Sequence, residues 1–150
     1  MISCDTNILY TACNQDAAGH LNARNFLSDN MESTSFVLCE QVLMEFYCLL
    51  RNPSVSKRPL SASEAVEMIQ RFRSNPRWRI VDVPSDRAGM ERVWRAAAGK
   101  SFAFRRVFDL RLAETLLHHG VETFATRNLK DFADCGFKRL FNPCAPSAAH

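Results

Sequence analysis

The sequence predicts an α/β fold in which a central, mainly parallel sheet of about four to five strands is flanked by helices. Short apolar segments alternate along the chain with longer segments of helical periodicity. This alternation is typical of parallel strands joined by crossover helices. The chain has 150 residues, a usual length for one domain that buries its own core, so we predict a single domain over residues 1–150.

The N-terminal half is predicted to contain two strands, each followed by helical sequence. The first strand ends near Asp5, where the chain turns into an apolar helical segment. Asn52-Pro53 ends a strongly apolar helix because proline cannot continue one, and Ser61 and Glu64 have the spacing of a capping box. The predicted strands are 1–5 and 35–39, and the predicted helices are 40–50, 61–73 and 17–27, the last with an apolar face of Leu21, Ala23, Phe26 and Leu27.

The C-terminal half is predicted to continue the same alternation. Pro84 closes a strand, Ser85 is the expected N-cap of the next helix, and Gly99 and Gly120 are expected to end helices. Residues 143–150 are predicted to form a flexible tail. The predicted strands are 78–83, 122–125 and 138–141, and the predicted helical segments are 85–98, 107–118 and 129–133.

Composition excludes few function classes. The hydrophobic fraction is 47%, the charged fraction is 23%, and a net charge of +3 permits nucleic-acid binding without requiring it. No apolar run approaches the roughly 20 residues of a membrane helix, and the N-terminus lacks the features of a secretory signal. We therefore expect a cytoplasmic protein with no membrane partner. Its six cysteines contain no Cys-x-x-Cys pair and are expected to be buried free thiols.

Polar sequences stand at three predicted strand ends: Asp5-Thr6-Asn7, Cys39-Glu40 and Thr126-Arg127-Asn128. In open α/β sheets, ligands bind beyond the carboxyl ends of the strands. Asp109 is a further acid, in the first turn of a predicted helix. These groups are expected at one edge of the molecule.

Glu45 is the only charged residue between Val42 and Leu50. A helix this apolar is largely buried, and a buried carboxylate is costly unless it is paired, protonated or bound to a metal. One interpretation is therefore a metal or catalytic site. The other is a structural ion pair with a distant arginine.

Asp109 and Asp5 also allow two interpretations each. Asp109 begins the apolar stripe that continues at Leu112, Ala113 and Leu116, although the helix dipole alone favours an acid there. Asp5 follows a strand, although aspartate is also a good N-cap. Together with Glu45 they suggest carboxylates gathered around a cation. Oxygen ligands of this kind suit Mg²⁺ or Mn²⁺.

At these residues the chain closely resembles the PIN-domain nucleases, especially the VapC-type toxins of bacterial toxin–antitoxin pairs. The resemblance extends from residue 2 to about 141 and rests on four motifs in the family's order. The motifs are Asp5-Thr6-Asn7-Ile8-Leu9, Gln41-Val42-Leu43-Met44-Glu45-Phe46-Tyr47, Phe108-Asp109-Leu110-Arg111-Leu112-Ala113, and the segment from Phe124 through Asn128 to Lys130-Asp131-Phe132.

The resemblance implies a Mg²⁺-dependent ribonuclease with Asp5, Glu45 and Asp109 as its catalytic acids. Asp5 and Asp109 are expected to bind the metal, and Glu45 to hold a water or act as a base. Thr6, Asn7 and Asn128 are expected to orient water or phosphate, although the family often has an acid at the position of Asn128. Asp131 either assists there or simply forms a turn. Arg127 and the Arg105–Arg106 pair either contact the RNA backbone or are solvated surface.

The resemblance also implies partners, namely an RNA substrate, an antitoxin that covers the site and a second copy of the chain. The apolar helices 42–50 and 64–73 either supply the dimer contact or belong to the core. The alternative function is a non-catalytic RNA-binding or regulatory module on the same fold. A phosphoacceptor domain using Asp82 is disfavoured because it needs an adjacent acidic pair after the first strand. A nucleotide-binding enzyme is disfavoured because no glycine-rich phosphate loop follows a predicted strand.

Overall fold

The structure is a computed structural model that describes residues 1–83 and 86–146. Its strands are β1 (Ile2–Cys4), β2 (Phe36–Cys39), β3 (Arg79–Val81), β4 (Thr123–Ala125) and β5 (Arg139–Phe141). Its helices are α1 (Thr6–Cys13), α2 (His20–Asp29), α3 (Glu40–Arg51), α4 (Ala62–Arg73), α5 (Arg87–Ala97), α6 (Arg106–His118) and α7 (Leu129–Phe132).

The strands form one parallel sheet in the order β3-β2-β1-β4-β5. This arrangement confirms the predicted α/β fold with a parallel sheet flanked by helices. Because the strands are parallel, their carboxyl ends lie at the same edge of the sheet. The central strand is β1, so Asp5, which follows it, lies in the middle of that edge.

The core is packed against both faces of the sheet and is rich in aromatic rings. All four residues of β2 are buried, as parallel strands covered on both faces require. The Phe36 ring lies 4.4 Å from the ring of Trp78 and 6.1 Å from that of Phe26. On the other side of the sheet centre, the Phe124 ring lies 4.8 Å from that of Phe132. These contacts fix the strands whose ends carry the polar groups.

The structure corrects the predicted helix over 17–27. The helix α2 begins only at His20, because Gly19 has a φ of 81° in the left-handed region, which favours glycine. Leu21 was predicted to face the core, but it is 68% exposed. Ala23 and Leu27 are buried as predicted.

The start of α5 also differs from the prediction. Asp86 is its N-cap, and the Oδ1 atom of Asp86 accepts a hydrogen bond of 2.9 Å from the backbone N–H of Ala88. The predicted cap at Ser85 and the strand-closing Pro84 lie outside the described residues. Aspartate therefore supplies the side-chain oxygen expected at this helix end.

The first residues of the predicted flexible tail contact the body of the protein. Cys144 is 8% exposed and belongs to the main core cluster. The carbonyl oxygen of Ala145 accepts a 3.1 Å hydrogen bond from the Nδ2 atom of Asn22. Residues 147–150 lie outside the described residues. Contacts therefore continue along the chain at least to residue 145.

All six cysteines are free thiols, as predicted, but their burial differs. Cys4, Cys39 and Cys144 are buried, whereas Cys13 and Cys48 are exposed. Within the described residues, no helix is both long and apolar enough to cross a membrane.

The predicted capping box at the start of α4 is confirmed. The Oγ atom of Ser61 accepts a hydrogen bond from the backbone N–H of Glu64, and the Oε2 atom of Glu64 accepts one of 2.7 Å from the backbone N–H of Ser61. We expect Ser61→Ala to lower the free energy of unfolding by about 1 kcal/mol, because one helix-end N–H loses its partner. Urea unfolding measures the change. Ser28→Ala, at an exposed position in α2, is the control, and an equal loss in both variants would contradict the capping role.

Candidate active site

Asp5 lies at the carboxyl end of the central strand and is the N-cap of α1. It is 8% exposed. Its Oδ1 atom accepts a 2.7 Å hydrogen bond from the backbone N–H of Thr6, and its Oδ2 atom accepts 2.7 Å bonds from Asn7 Nδ2 and Thr126 Oγ1. A carboxylate offers about four lone-pair sites, so these three bonds leave capacity for one more ligand. Asp5 therefore caps α1 and still has one unoccupied acceptor site at the edge of the sheet.

Thr126 is a site residue that the sequence analysis did not assign. It is fully buried after β4, and its hydroxyl donates to Asp5 while accepting a 3.0 Å bond from the backbone N–H of Asn128. The only sequence signal for it was its place at a strand end beside Asn128. Thr126 holds the Asp5 side chain in one orientation.

Glu45 projects from α3 toward the start of α1. Its Oε2 atom lies 3.2 Å from the hydroxyl of Thr6, and its Oε1 atom accepts a 3.0 Å hydrogen bond from Gln41 Nε2. The Thr6 hydroxyl also lies 3.3 Å from the carbonyl oxygen of Val42. Within residues 1–83 and 86–146, no arginine or lysine forms an ion pair with Glu45. The structural ion pair considered as its alternative role is therefore absent from the described part of the chain.

Gln41 is a second unassigned site residue. It is 4% exposed and its Nε2 atom donates both to Glu45 and, over 3.0 Å, to the carbonyl oxygen of Phe108. Its Oε1 atom accepts a 3.3 Å bond from Arg111. Gln41 thus joins α3 to the first turn of α6, and Arg111 is linked to Glu45 only through it. The available sequence signal was a polar residue four positions before Glu45, on the same face of the helix.

Asp109 is half-buried in the first turn of α6. Leu112, Ala113 and Leu116 are buried, which confirms that Asp109 begins the apolar stripe of this helix. Because the carbonyl of the preceding Phe108 is bonded to Gln41, this turn is fixed against the helix that carries Glu45.

Burial and the charges of neighbouring acids raise the pKa values of Asp5 and Asp109. Loss of hydration raises the pKa of Asp5 to about 6, and the charge of Glu45 adds to this although three hydrogen bonds oppose it. Loss of hydration also raises the pKa of Asp109 to about 6, with further increases from the charges of Asp5, Asp131 and Glu45. The three predicted acids therefore act on one another electrostatically. Such repulsion is relieved by a proton or a bound cation.

The donor set suits Mg²⁺, although the acids do not form a closed cage. Among the residues described, no three His, Cys, Asp or Glu side chains are grouped so that they could hold an ion as they stand. Mg²⁺ usually keeps several waters and uses only one or two carboxylates. Asp5 and Asp109, with hard oxygen donors and raised pKa values, fit that smaller requirement.

The predicted positioning residues are bonded largely to the protein. Asn7 donates to Asp5, and its Oδ1 atom accepts a 3.2 Å bond from the backbone N–H of Arg127. The guanidinium of Arg127 donates to Thr11 Oγ1 over 3.1 Å. Asn128 is exposed, precedes α7, and makes no capping bond with its side chain. Thr6 and Asn7 therefore orient the acids, while Asn128 is accessible.

Two neighbouring groups have structural partners. Glu40 accepts a 2.8 Å hydrogen bond from Arg73 Nε, so it faces away from Glu45, as its five-residue separation predicts. Arg106 is paired with Asp134, which leaves Arg105 as the more accessible of the two arginines. Asp131 is exposed, but its charge raises the pKa of Asp109.

We expect Gln41→Met to lower kcat for the reaction at this site by about 10-fold, with little change in KM. The substitution keeps the volume of the side chain but removes the bonds that hold Glu45 and the turn before Asp109. Steady-state kinetics measure the effect. Gln70→Met, at an exposed position in α4, is the control. A change in KM with kcat unaltered would contradict the positioning role of Gln41.

No family model matches the sequence. A curated relative is Ribonuclease VapC24 of Mycobacterium tuberculosis, strain H37Rv. It is 48% identical to this chain over 143 residues, which cover 95% of this chain and 97% of the relative. The similarity therefore spans nearly the whole of both chains.

Solved structures with the same fold include toxins and toxin–antitoxin complexes. VapC20 of Mycobacterium tuberculosis, a sarcin-ricin loop cleaving toxin, has a TM-score of 0.65 and 18% identity, covering 91% of this chain and 96% of that chain. VapBC2 of Rickettsia felis, bound to a DNA fragment from its promoter, has a TM-score of 0.67 and 21% identity, covering 95% and 98%. At these identities the likeness concerns the fold alone, and it agrees with the parallel sheet found here.

Proposed function

The chain belongs to the VapC family of ribonucleases, and on that premise we propose that it is a Mg²⁺-dependent endoribonuclease, the toxin of a toxin–antitoxin pair. The observation that carries the proposal is that Gln41 bonds both to Glu45 and to the carbonyl oxygen of Phe108, which directly precedes Asp109. The charges of Asp5 and Glu45 also raise the pKa of Asp109. Acids close enough for one to raise the pKa of another at the carboxyl edge of a sheet are suited to hold a cation. The name of the 48% identical relative supports RNA as the substrate.

Asp5 and Asp109 would hold the metal, for which Mn²⁺ is an alternative. When bound, the ion neutralises charge on the scissile phosphate and makes water a better nucleophile. Glu45 accepts a proton from the water whose oxygen bonds to phosphorus. The bond from phosphorus to the leaving oxygen breaks, and that oxygen departs with the electron pair and takes a proton from solvent. Gln41 and Thr6 hold the Glu45 carboxylate, and Thr126 and Asn7 hold that of Asp5. We infer that the exposed Asn128 contacts substrate or water.

The partners follow from the same proposal. Solved relatives include complexes with antitoxins, and we infer that an antitoxin covers this site in a cytoplasmic complex. We also infer a homodimer. In α3, the buried Val42, Leu43, Phe46 and Leu50 belong to the core, as the sequence analysis allowed. The large apolar side chains that these helices expose for a dimer contact are Met44 of α3, 56% exposed, and Val66 of α4, 48% exposed.

End-labelled RNA incubated with the purified protein tests the proposed activity. We expect internal cleavage with Mg²⁺, no cleavage with EDTA, and recovery when excess Mg²⁺ is restored. Cleavage that persists in EDTA would contradict metal dependence. RNA binding without cleavage under all these conditions, and no heat of Mg²⁺ binding in calorimetry, would instead support the non-catalytic RNA-binding module.

A further inference from the structure

Thr11 is a buried polar residue of α1 to which the proposed mechanism gives no part. It is 1% exposed, so its side chain is out of reach of a substrate. Its hydroxyl donates a 2.7 Å hydrogen bond to the carbonyl oxygen of Asn7, four residues earlier in the helix. A hydroxyl has one hydrogen and two lone pairs, so the Thr11 oxygen can still accept a bond from another part of the chain.

The donor to Thr11 is Arg127, which lies two residues after the end of β4. The Nη1 atom of Arg127 donates to the Thr11 hydroxyl over 3.1 Å, and its backbone N–H donates to the Oδ1 atom of Asn7 over 3.2 Å. Asn7 and Thr11 are four residues apart and therefore lie on the same face of α1. Side chain and main chain of Arg127 are thus both bonded to one helix face, and we call these two bonds the arginine clamp.

The arginine clamp is connected to the carboxylate of Asp5. The Nδ2 atom of Asn7 donates a 2.7 Å bond to the Oδ2 atom of Asp5. Thr126, the residue before Arg127, donates a 2.7 Å bond to the same Oδ2 atom. Asn7 is bonded to the clamp through its Oδ1 atom, and Thr126 is joined to it by the chain. A displacement of Arg127 would therefore move both side chains that orient Asp5.

The C-terminal segment 142–145 lies beside the clamp. Burial raises the pKa of the Cys144 thiol, and the charge of Arg127 and the hydroxyl of Thr11 oppose this rise, as neighbours of the sulfur atom do. The segment approaches α2 closely because Gly19 has no side chain, and a Cβ there would lie 2.6 Å from the carbonyl oxygen of Cys144. The bond between Arg127 and Thr11 is part-buried, and partial exclusion of water strengthens a hydrogen bond.

We propose that Thr11 is a positioning residue for the reaction at Asp5. Its hydroxyl holds Arg127, and through the arginine clamp it fixes Asn7 and Thr126, the two side chains that orient the Asp5 carboxylate. This inference rests on the proposed ribonuclease function, and it assigns the bonded Nη1 atom of Arg127 to positioning rather than to contact with RNA. A misplacement of about 1 Å can cost on the order of 100-fold in rate even when its cause is remote from the chemistry.

Exchange of the backbone amide hydrogen of Arg127, measured by NMR in EDTA, tests the clamp without RNA or metal. Thr11→Val keeps the branched shape of the side chain and removes the hydroxyl, so this hydrogen is expected to exchange about 10-fold faster than in the wild-type protein. Thr11→Ser retains the hydroxyl and is expected to exchange at the wild-type rate.

Thr115→Val is the matched control. Thr115 is also 1% exposed, and its hydroxyl donates a 2.8 Å bond to the carbonyl oxygen four residues earlier, but it lies in α6. The variant therefore removes an equivalent buried hydroxyl without touching the clamp, and the exchange rate at Arg127 is expected to stay unchanged. Circular dichroism and melting temperature check that each variant is folded.

Kinetics of RNA cleavage test the effect on the reaction. Because Thr11 does not touch the substrate, Thr11→Val is expected to lower kcat about 10-fold and to leave KM within about twofold of the wild-type value. Thr11→Ser is expected to retain the wild-type kcat. Thr115→Val is expected to retain both kcat and KM.

Several outcomes would overturn the inference. Wild-type exchange at Arg127 in Thr11→Val would show that the hydroxyl does not hold the clamp. Faster exchange with kcat unaltered would remove its role in the reaction, and a rise in KM alone would assign Arg127 to RNA contact. Equal effects in Thr115→Val would show general loosening of the fold. If the wild-type protein cleaves no RNA, the proposed function fails, and the exchange rates still decide whether Thr11 holds Arg127.

Discussion

Asp109→Asn and Asp5→Asn are each expected to lower the rate of the proposed Mg²⁺-dependent RNA cleavage by at least about 100-fold, which corresponds to about 2.7 kcal/mol of transition-state stabilisation. Each substitution removes one carboxylate that we propose binds the metal and keeps the shape of the side chain. Asparagine is also a good N-cap, so the α1 start that Asp5 caps is preserved. The measurement is the cleavage rate of labelled RNA at saturating Mg²⁺.

Glu122→Gln is the matched control for these two variants. Glu122 is an exposed carboxylate paired with Lys138 on the surface, so its neutralisation leaves cleavage unchanged. Full activity in both Asp5→Asn and Asp109→Asn would contradict the site assignment. Loss of activity in Glu122→Gln as well would show that the effect is not specific to the acids at the sheet edge.

Local sequence patterns were sufficient to predict the sheet and the helices that carry the acids. The apolar run before Asp5, the buried β2 and the capping box at Ser61 each depend on neighbours within a few residues, so periodicity and capping chemistry specify them. The interpretation of Glu45 also followed from local sequence, because a single charged side chain in an apolar helix is costly to bury unless it is paired, protonated or bound to a metal.

Tertiary contacts explain what the sequence could not predict. Thr126 bonds to Asp5 across 121 positions, and Gln41 bonds to the Phe108 carbonyl across 67. No local pattern contains either pairing. The error at Leu21 arose because helical spacing gives an apolar stripe without showing how much of it the neighbouring elements cover. The helix α2 begins later than predicted because Gly19 has a left-handed backbone conformation, which composition alone does not reveal.

The raised pKa values of Asp5 and Asp109 predict that the metal-free protein becomes less stable as pH rises. The pKa of Asp5 is about 6 when folded, against an ordinary value of 3.8, so the folded state binds more protons than the unfolded state between these values. Stability therefore falls as pH rises from about 4 to about 6 and then levels off. Asp5 contributes up to about 3 kcal/mol to this fall. The half-buried Asp109, whose pKa is also about 6, contributes less because solvent screens it.

The comparison of wild-type protein with Asp5→Asn isolates this effect from all other titrating groups. In EDTA, the free energy of unfolding of Asp5→Asn relative to wild type is expected to increase as pH rises from 4 to about 7, because the variant has no charge to bury at this position. Urea unfolding across that range measures the difference. At pH 7.5, excess Mg²⁺ stabilises the wild-type protein by preferential binding to its folded state, and it has little effect on the variant. If the difference in free energy of unfolding between Asp5→Asn and wild type did not depend on pH, the charge of Asp5 would not destabilise the folded state. There would then be no electrostatic reason for a cation to bind at this edge of the sheet.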